Sequence, residues 1–389
     1  MEPTSTGGRL DTPGPPALVC RSGRCQDGRV PTETTPAATL PHAVVPEAAR
    51  PPAVLPTDAD GVVGALAAVV APLVAELGEV VATDKLDGGM FATTYRITFA
   101  GGEKAVAKMA PTAVEKLMTY EKDILSTEAA VYRLAAEHPD LLMPQVLLFD
   151  TSHEHVSSDV LVASYLDGVP WHTLTDLTSE QRLEVEGRLG AYMTRLHAVT
   201  GDAFGYPASP SLQAPTWREA FGRMVSGVLD DAATWGVDLP AGRMTEALER
   251  HGHELDVVRT PTLVHTDLWE GNIFLDPDTL EIVGVIDTER AIFADPLYEL
   301  VGASQFGDGG APAPIAAGYV AAGGHLDTTE SLASGNLTSD DVRILLYRCY
   351  MYSILLVEPA PRGYKGEWVE TNRITLLAKL GTTLDLLLG

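Results

Sequence analysis

The sequence predicts an α+β fold with two lobes, in which a small antiparallel sheet precedes a larger, mainly helical lobe. Three observations lead to this prediction. Residues 79–109 contain three short runs of alternating or β-branched residues separated by glycine pairs, a pattern typical of hairpins. After Gly168, apolar residues recur at near-helical spacing. The chain has 389 residues, 45% of them hydrophobic, which suffices for two domains or one large two-lobed domain.

Residues 1–56 differ in composition from the rest of the chain. They contain 11 of the 27 prolines, and their five acidic residues balance their five basic residues. Such a segment cannot bury enough apolar surface to offset the entropy that is lost on ordering. We therefore predict a disordered, proline-rich tail over residues 1–56, an N-terminal lobe over residues 57–167 and a helical lobe over residues 168–389.

The longest apolar run covers residues 61–75 and contains Pro72. It is shorter than the ~20 apolar residues that a membrane span requires. We predict a buried, alanine-rich helix here and no membrane partner. The first residues of the chain are polar and rich in proline, and they do not resemble a signal peptide.

The smaller lobe is predicted to begin with three strands joined by two tight turns. Gly88-Gly89 and Gly101-Gly102 are the turn signals. A long helical pattern and two further strands follow. The order of three strands, one helix and two strands is typical of a small antiparallel α+β lobe. The predicted strands cover residues 79–85, 93–100, 104–109, 145–149 and 160–165, and the predicted helix covers residues 112–137.

The larger lobe is predicted to be helical except for one short pair of strands. Apolar residues within residues 179–197 recur at near-helical spacing. The predicted helices cover residues 179–197, 217–235 and 241–258, the strands cover residues 273–275 and 282–286, and residues 296–389 are predicted to be rich in helix.

The charge balance is strongly acidic, with 53 Asp and Glu residues against 27 Lys and Arg residues and a net charge of −26. Nucleic acid is excluded as a partner, because binding its phosphates requires a basic face. A cationic ligand is compatible with the charge, and so is the simpler interpretation that the acidity serves solubility. The three cysteines lack the spacing of a disulfide framework, which favours a reducing cytoplasm.

The segment most informative about function is His265-Thr-Asp267-Leu-Trp-Glu-Gly-Asn272, which is followed by Asp287. A chance match to His-x-Asp-x4-Asn is expected on the order of 0.01 times in such a chain. Phosphoryl transfer to a hydroxyl requires a carboxylate base. It also requires Mg²⁺, which is held by a neutral oxygen ligand and a second carboxylate. Asp267 and Asn272 can supply the base and one ligand, and a hairpin returns Asp287 beside Asn272. The alternative is a polar loop followed by an ordinary hairpin turn over residues 276–278.

This segment resembles the catalytic loop and metal-binding strand of the protein-kinase-like superfamily, and within it the aminoglycoside phosphotransferase family. The resemblance covers residues 80–389 and implies a two-lobed kinase fold with ATP or GTP between the lobes. It implies Asp267 as catalytic base and Asn272 and Asp287 as ligands of Mg²⁺. His265 then becomes a structural residue that braces the loop.

Lys108 is a lone lysine within the apolar run Ala105-Val-Ala-Lys-Met109, which lies in the strand predicted over residues 104–109. A buried ammonium requires a carboxylate partner, because an isolated buried charge is costly. The resemblance pairs Lys108 with Glu128 and places the lysine on the α- and β-phosphates of the nucleotide. Glu121 is a rival partner, and an edge-strand lysine without this role is the remaining alternative.

Further nucleotide contacts are expected from two loops. Gly88 and Gly89 lie in the turn between the first two strands, where backbone amides can face phosphates. The resemblance places Ser164, Tyr165 and Leu166 beside the purine edge. Because these contacts involve the backbone, they do not distinguish ATP from GTP.

The sequence departs from protein kinases after Asp287, where Thr288-Glu289 replaces the Phe-Gly of those enzymes. Asp295-Pro296 follows soon after and signals a new helix, which leaves little room for a regulated activation loop. A small-molecule hydroxyl acceptor is therefore favoured over a protein acceptor, and an antibiotic or another cationic compound is one candidate. A fructosamine, choline or homoserine kinase is the alternative, and a non-catalytic nucleotide-binding protein is a third.

We predict that deletion of residues 1–56 leaves the melting temperature and the activity almost unchanged, because the composition of this segment does not support a packed structure. Thermal unfolding of the full-length and shortened chains, followed side by side, tests this. A loss of several degrees in the shortened chain would show that the tail docks on the body.

Overall fold

The computed structural model describes residues 59–86, 92–308, 312–329, 332 and 335–389. The predicted tail over residues 1–56 and the glycine pair Gly88-Gly89 lie outside these residues, so the predictions made for them stand untested. The boundaries proposed for the two lobes also remain predictions.

The N-terminal apolar run forms two helices instead of one. Helix α1 spans Ala59–Val69 and helix α2 spans Val74–Leu77, with a 3₁₀ turn around Pro72 between them. The prolyl ring lacks an amide donor, so a single continuous helix is interrupted here. Leu66 and Val70 are fully buried under the neighbouring sheet. None of the helices in the described part of the chain is long and apolar enough to cross a membrane.

A five-stranded antiparallel sheet forms the smaller lobe, with the strands in the order β1-β2-β3-β5-β4. The observed strands lie within one or two residues of the predicted ones. They are β1 Val80–Leu86, β2 Thr93–Phe99, β3 Lys104–Met109, β4 Val146–Asp150 and β5 Val160–Ser164.

The two faces of this sheet have different neighbours. In β3, Ala105, Ala107 and Met109 are buried against the core that α1 covers. Because side chains alternate along a strand, Lys108 points to the opposite face, opposite Leu161 of β5. Helix α3, Ile124–Ala135, packs on that face. The alternation of side chains along β3 therefore directs Lys108 towards α3.

Helix α3 is shorter than the helix predicted over residues 112–137. Residues 114–116 and 119–121 form separate 3₁₀ turns. The amide and hydroxyl of Thr119 both donate to the carboxylate of Asp231, at 2.8 Å each. The amide of Met118 donates to the side chain of Glu121 at 2.8 Å. Side-chain acceptors thus replace the helical hydrogen bonds in this stretch.

The larger lobe is mainly helical and contains the largest hydrophobic core. The predicted helix over residues 241–258 ends at His251 and continues as a 3₁₀ helix over Gly252–Val257. The helix over Ser339–Val357, α9, is buried along nearly its whole length and forms the centre of the core. The helices are α4 Ser179–Leu196, α5 Trp217–Trp235, α6 Ala241–His251, α7 Leu297–Gly302, α8 Ala313–Ala321, α9 Ser339–Val357, α10 Pro359–Arg362 and α11 Glu367–Leu388.

Two small antiparallel sheets support the loops of the larger lobe. One has the order β6-β8-β9 and contains the predicted hairpin, and the other pairs β7 with β10. The strands are β6 Val169–Pro170, β7 Thr262–Val264, β8 Ile273–Leu275, β9 Ile282–Val285 and β10 Ile292–Ala294. The predicted α+β fold, with a small sheet lobe and a larger helical lobe, is confirmed.

Candidate active site

Lys108 lies at the centre of a partly buried cluster of charges. Its Nζ donates to Glu128 Oε1 and to Asp287 Oδ1, each at 2.6 Å. Glu128 comes from α3, whereas Asp287 follows β9 of the other lobe. Burial alone would lower the pKa of Lys108, but Asp287 and Glu128 raise it well above its usual value. The lysine is therefore charged, and it forms hydrogen bonds to carboxylates of both lobes.

The rival partner of Lys108 is engaged elsewhere. Glu121 forms a buried ion pair with Arg362. Tyr132, one turn after Glu128 on α3, completes the cluster, since its hydroxyl donates to Glu128 Oε1 at 2.6 Å and accepts from the amide of Asp287 at 3.0 Å. The spacing of four residues places Glu128 and Tyr132 on one face of the helix.

The loop after β7 is held by a carboxylate from α7. Glu299 is fully buried and accepts hydrogen bonds from the amides of His265 and Thr266 at 2.6 and 2.9 Å. Thr266 has a φ of 66°, an uncommon conformation for a β-branched residue. A side chain on Gly302 would contact the backbone of Thr266 at 2.5 Å, so glycine permits this close approach.

His265 braces the same loop, in agreement with the expectation from the sequence. Its Nε2 donates to the carbonyl of Ile286 at 2.9 Å, and its Nδ1 accepts from the amide of Asp267 at 3.3 Å. Burial lowers the pKa of His265 to about 4, so the ring is neutral at pH 7. Both ring nitrogens are used, which leaves the imidazole no free group for acid–base chemistry.

Asp267 is held by amide side chains on both of its oxygens. Oδ1 accepts from Gln305 at 2.5 Å, and Oδ2 accepts from Asn272 at 3.2 Å. Asn272 also donates to the carbonyl of Asp267 at 2.9 Å, so its Nδ2 is engaged and its Oδ1 stays available as an acceptor. Burial raises the pKa of Asp267 to about 7, although the positive charge of Arg290 opposes this effect. A carboxylate with this pKa can accept a proton near neutral pH.

Three carboxylates converge beside Lys108. Oxygens of Glu128, Asp287 and Glu289 lie within 4.8 Å of one another. Oε2 of Glu128 is buried without a hydrogen-bond partner, and Glu289 is also buried. Burial, and then the charge of Asp287, raise the pKa of Glu289 well above its usual value. Oxygen ligands of this kind suit Mg²⁺, so the donor set fits a divalent cation.

A cavity of about 1190 Å³ extends from the sheet lobe to the end of the helical lobe. Lys108, Asp267, Asn272 and Asp287 all line it. At the sheet end its lining is apolar and comes from both lobes, with Leu86, Val106, Leu161, Ala163, Phe274 and Ile286.

The residues predicted to lie beside the purine edge also line this cavity. They are Ser164, Tyr165 and Leu166. Ser164 is already engaged with Gln145, the residue before β4, since its amide donates to the carbonyl of Gln145 at 2.8 Å and its hydroxyl accepts from the amide of Gln145 at 2.9 Å. The other predicted nucleotide contacts, Gly88 and Gly89, lie outside the described residues.

Several residues of the site were missed by sequence reasoning. Glu289 could have been found from its position two residues after Asp287. Tyr132 could have been found from its spacing of four residues after Glu128. Gln305 and Glu299 lie more than 30 residues after the loop they support, and no local pattern marks them.

The family model described as "Phosphotransferase enzyme family" matches residues 84–334. Several solved structures share the fold at low identity. A putative aminoglycoside phosphotransferase from Ralstonia eutropha JMP134 is 13% identical, with a TM-score of 0.56, over 84% of this chain and 98% of that chain. A putative fructosamine-3-kinase from Thermobifida fusca YX-ER1 is 20% identical, with a TM-score of 0.54, over 82% of this chain and 98% of that chain.

A third solved structure holds both a nucleotide analogue and an acceptor. It is the N203A variant of aminoglycoside phosphotransferase APH(4)-Ia, in a ternary complex with AMP-PNP and hygromycin B. It is 18% identical, with a TM-score of 0.54, over 82% of this chain and 97% of that chain. At these identities the likeness concerns the fold.

Lys108→Ala and Glu128→Ala should each weaken binding of Mg·AMP-PNP by roughly tenfold or more, because a charge-assisted contact to phosphate is lost or misaligned. The double variant should bind about as weakly as the worse single variant, since both residues act as one unit. Isothermal titration calorimetry measures all three affinities.

Glu184→Ala serves as the control, because Glu184 forms only an exposed pair with Arg188 on α4. Combined with Lys108→Ala, it should have no further effect. If Lys108→Ala and Glu128→Ala instead act independently, the two residues do not share a role in nucleotide binding.

Proposed function

Since the chain belongs to the phosphotransferase enzyme family, we propose that it transfers the γ-phosphate of ATP or GTP, with Mg²⁺, to a hydroxyl group of a small molecule. The observation that carries this proposal is the position of Asp267, a carboxylate with a pKa of about 7 in the same cavity as the Lys108 cluster. We place the enzyme in the cytoplasm, where both nucleotides are supplied.

Asp267 acts as the base in this proposal. The acceptor oxygen forms a bond to the γ-phosphorus, the bond between this phosphorus and the β–γ bridging oxygen breaks, and the nucleoside diphosphate leaves. The proton of the acceptor hydroxyl passes to Asp267. Gln305 and Asn272 fix the rotamer of the carboxylate by donating to its two oxygens. This positioning is most of what phosphoryl transfer requires of the protein.

Asp287 and Asn272 are the proposed ligands of Mg²⁺. When bound, the ion supplies positive charge that neutralises the phosphate oxygens. Glu289 extends the acidic ligand set, and the unpartnered Oε2 of Glu128 adds negative charge nearby. Asp287 has a φ of 69°, a strained conformation that the hydrogen bond from its amide to Tyr132 helps to hold.

Lys108 is proposed to bind the α- and β-phosphates, with Glu128 keeping its ammonium in place. The purine is proposed to contact the backbone of Tyr165 and Leu166, with Ser164 at the edge of the sheet. Gly88 and Gly89 lie outside the described residues, and backbone amides near the phosphates stay a prediction for them.

Asp267→Asn should lower turnover by roughly two or more orders of magnitude, because the amide cannot accept the proton. Nucleotide affinity and melting temperature should stay near those of the parent protein, since the side chain keeps its size. The assay follows phosphate transfer from ATP and GTP to aminoglycosides, nucleoside and macrolide antibiotics, choline, homoserine and a fructosamine. Asp278→Asn, on the exposed hairpin turn, is the matched control. Turnover near the parental rate in Asp267→Asn would exclude this residue as the base.

The rate should also depend on pH through Asp267. Because burial raises its pKa to about 7, the carboxyl is protonated and inactive as a base below this pH. The value of kcat/KM should therefore increase as the pH rises through about 7 and then level off. Profiles recorded from pH 5.5 to 9 with saturating Mg²⁺ test this. A flat profile across this range would contradict the assignment.

A further inference from the structure

The end of the cavity that lies beyond Asp267, away from the sheet lobe, is the place left for an acceptor. It is formed by the C-terminal part of α9, by α10 and by α11, together with the segment around Phe306. The sheet end carries Lys108 and the apolar residues around the proposed purine site. A hydroxyl that reaches Asp267 from the opposite side therefore belongs to a molecule that occupies this helical end.

The helical end is apolar and rich in aromatic residues. Leu355, Leu356, Val369, Leu376 and Leu377 line it, with Phe306, Tyr364 and Trp368. The rings of Tyr364 and Trp368 lie 5.8 Å apart at the start of α11. Aromatic side chains placed next to each other in this way offer a broad surface for a flat or bulky apolar group.

The exposed aromatic side chains of the protein concentrate at this cavity. Among the described residues, the Phe and Trp side chains with the greatest exposure are Trp269, Phe306 and Trp368, at 48%, 49% and 49%. All three line the cavity. Large aromatic surface left in water at a concave site is characteristic of ligand binding.

The charged groups at this end are already neutralised. Glu358 is buried and forms ion pairs with Arg290 at 2.7 Å and Arg362 at 3.4 Å. Arg362 also pairs with the buried Glu121, and the hydroxyl of Tyr120 donates to Glu358. The group thus contains two guanidiniums and two carboxylates, so its formal charge is zero. An ammonium group could reach Glu358 only by displacing an arginine.

Few carboxylates remain for a cation at this end. Apart from Asp267, the described lining contributes Asp238, which is exposed at the rim. Arg373 also lines this end and pairs with Glu370. The guanidiniums of Arg290, Arg362 and Arg373 are matched by the carboxylates of Glu358, Glu121 and Glu370, so a molecule with several ammonium groups would find little uncompensated negative charge here. The net charge of −26 is therefore carried elsewhere on the molecule.

We propose that the acceptor is an uncharged hydroxyl compound with a large apolar or aromatic body, and that polycationic amino sugars are poor ligands. This inference rests on the proposed function, because it takes Asp267 as the point that the acceptor hydroxyl reaches. It narrows the acceptor class that the sequence left open.

Binding of two probes to the protein loaded with Mg·AMP-PNP tests the proposal. The first probe is 2-naphthyl β-glucoside, an uncharged aryl compound with several hydroxyls, and the second is kanamycin. Quenching of tryptophan fluorescence and calorimetry report both affinities. The naphthyl glucoside should bind at least about tenfold more tightly than kanamycin, which corresponds to ~1.4 kcal/mol. Tighter binding of kanamycin overturns the proposal, and so does no detectable binding of the naphthyl glucoside at millimolar concentration.

Trp368→Ala and Phe306→Ala should each weaken binding of the naphthyl glucoside by about tenfold, because an aromatic contact surface is lost. Ile374→Ala is the matched control, since Ile374 is an exposed apolar residue of the same helix α11 outside the cavity lining. An equal loss in Ile374→Ala, or no loss in either aromatic variant, contradicts the assignment of this surface.

The same titrations on Asp267→Asn separate this inference from the proposed function. The preference for the naphthyl glucoside over kanamycin should be unchanged in that variant. Turnover on the acceptor panel should fall by roughly two or more orders of magnitude. Turnover that persists in Asp267→Asn argues against the proposed mechanism. A preference for kanamycin, with turnover lost in Asp267→Asn, leaves the mechanism in place and overturns the acceptor class.

Discussion

The contact on which the site depends is the ion cluster of Lys108, Glu128 and Asp287. It joins the sheet, helix α3 and the hairpin of the other lobe across 179 residues of sequence. Breaking a fully buried pair typically costs about 3–5 kcal/mol, because the remaining charge is left without a partner, and the pair of Lys108 with the fully buried Glu128 comes close to this case. A hydrophobic substitute would often be as stable, so stability alone does not explain the cluster. Its position in the cavity accounts for the cluster under the proposed function, in which Lys108 binds the phosphates of the nucleotide.

The geometry around this cluster is maintained by hydrogen bonds from buried side chains. Thr266 and Asp287 both have a positive φ, which is unfavourable for residues of their type. Glu299 holds the first by accepting two amide hydrogen bonds, and Tyr132 supports the second through the amide of Asp287. His265 ties the two segments together through the carbonyl of Ile286. The two strained residues are thus fixed before any ligand binds, which lowers the cost of ordering the site.

The overall charge of this protein and the charge of its cavity lead to different conclusions about the acceptor. A net charge of −26 is compatible with a cationic ligand when the chain is considered as a whole. Within the helical end of the cavity, Glu358 is already paired with Arg290 and Arg362. At an ionic strength of 0.15 M, exposed charges more than ~8 Å away are largely screened. The charges that contact a ligand therefore decide which ligands bind, and here they leave an apolar surface.

The sequence by itself determined the strands, most helices and the segment that carries Asp267 and Asn272, because periodicity and motif spacing are local properties. It also identified Lys108 as a cation that requires a carboxylate partner. Only the tertiary structure decided that Glu128 and not Glu121 is its partner, since this choice depends on how α3 packs on the sheet. Tertiary packing also explains why the first part of the helix predicted over residues 112–137 does not form. The carboxylate of Asp231, on α5, accepts a hydrogen bond from the amide of Thr119. The contacts of Gln305 with Asp267 and of Arg362 with Glu121 likewise join residues far apart in the chain, and folding alone brings them together.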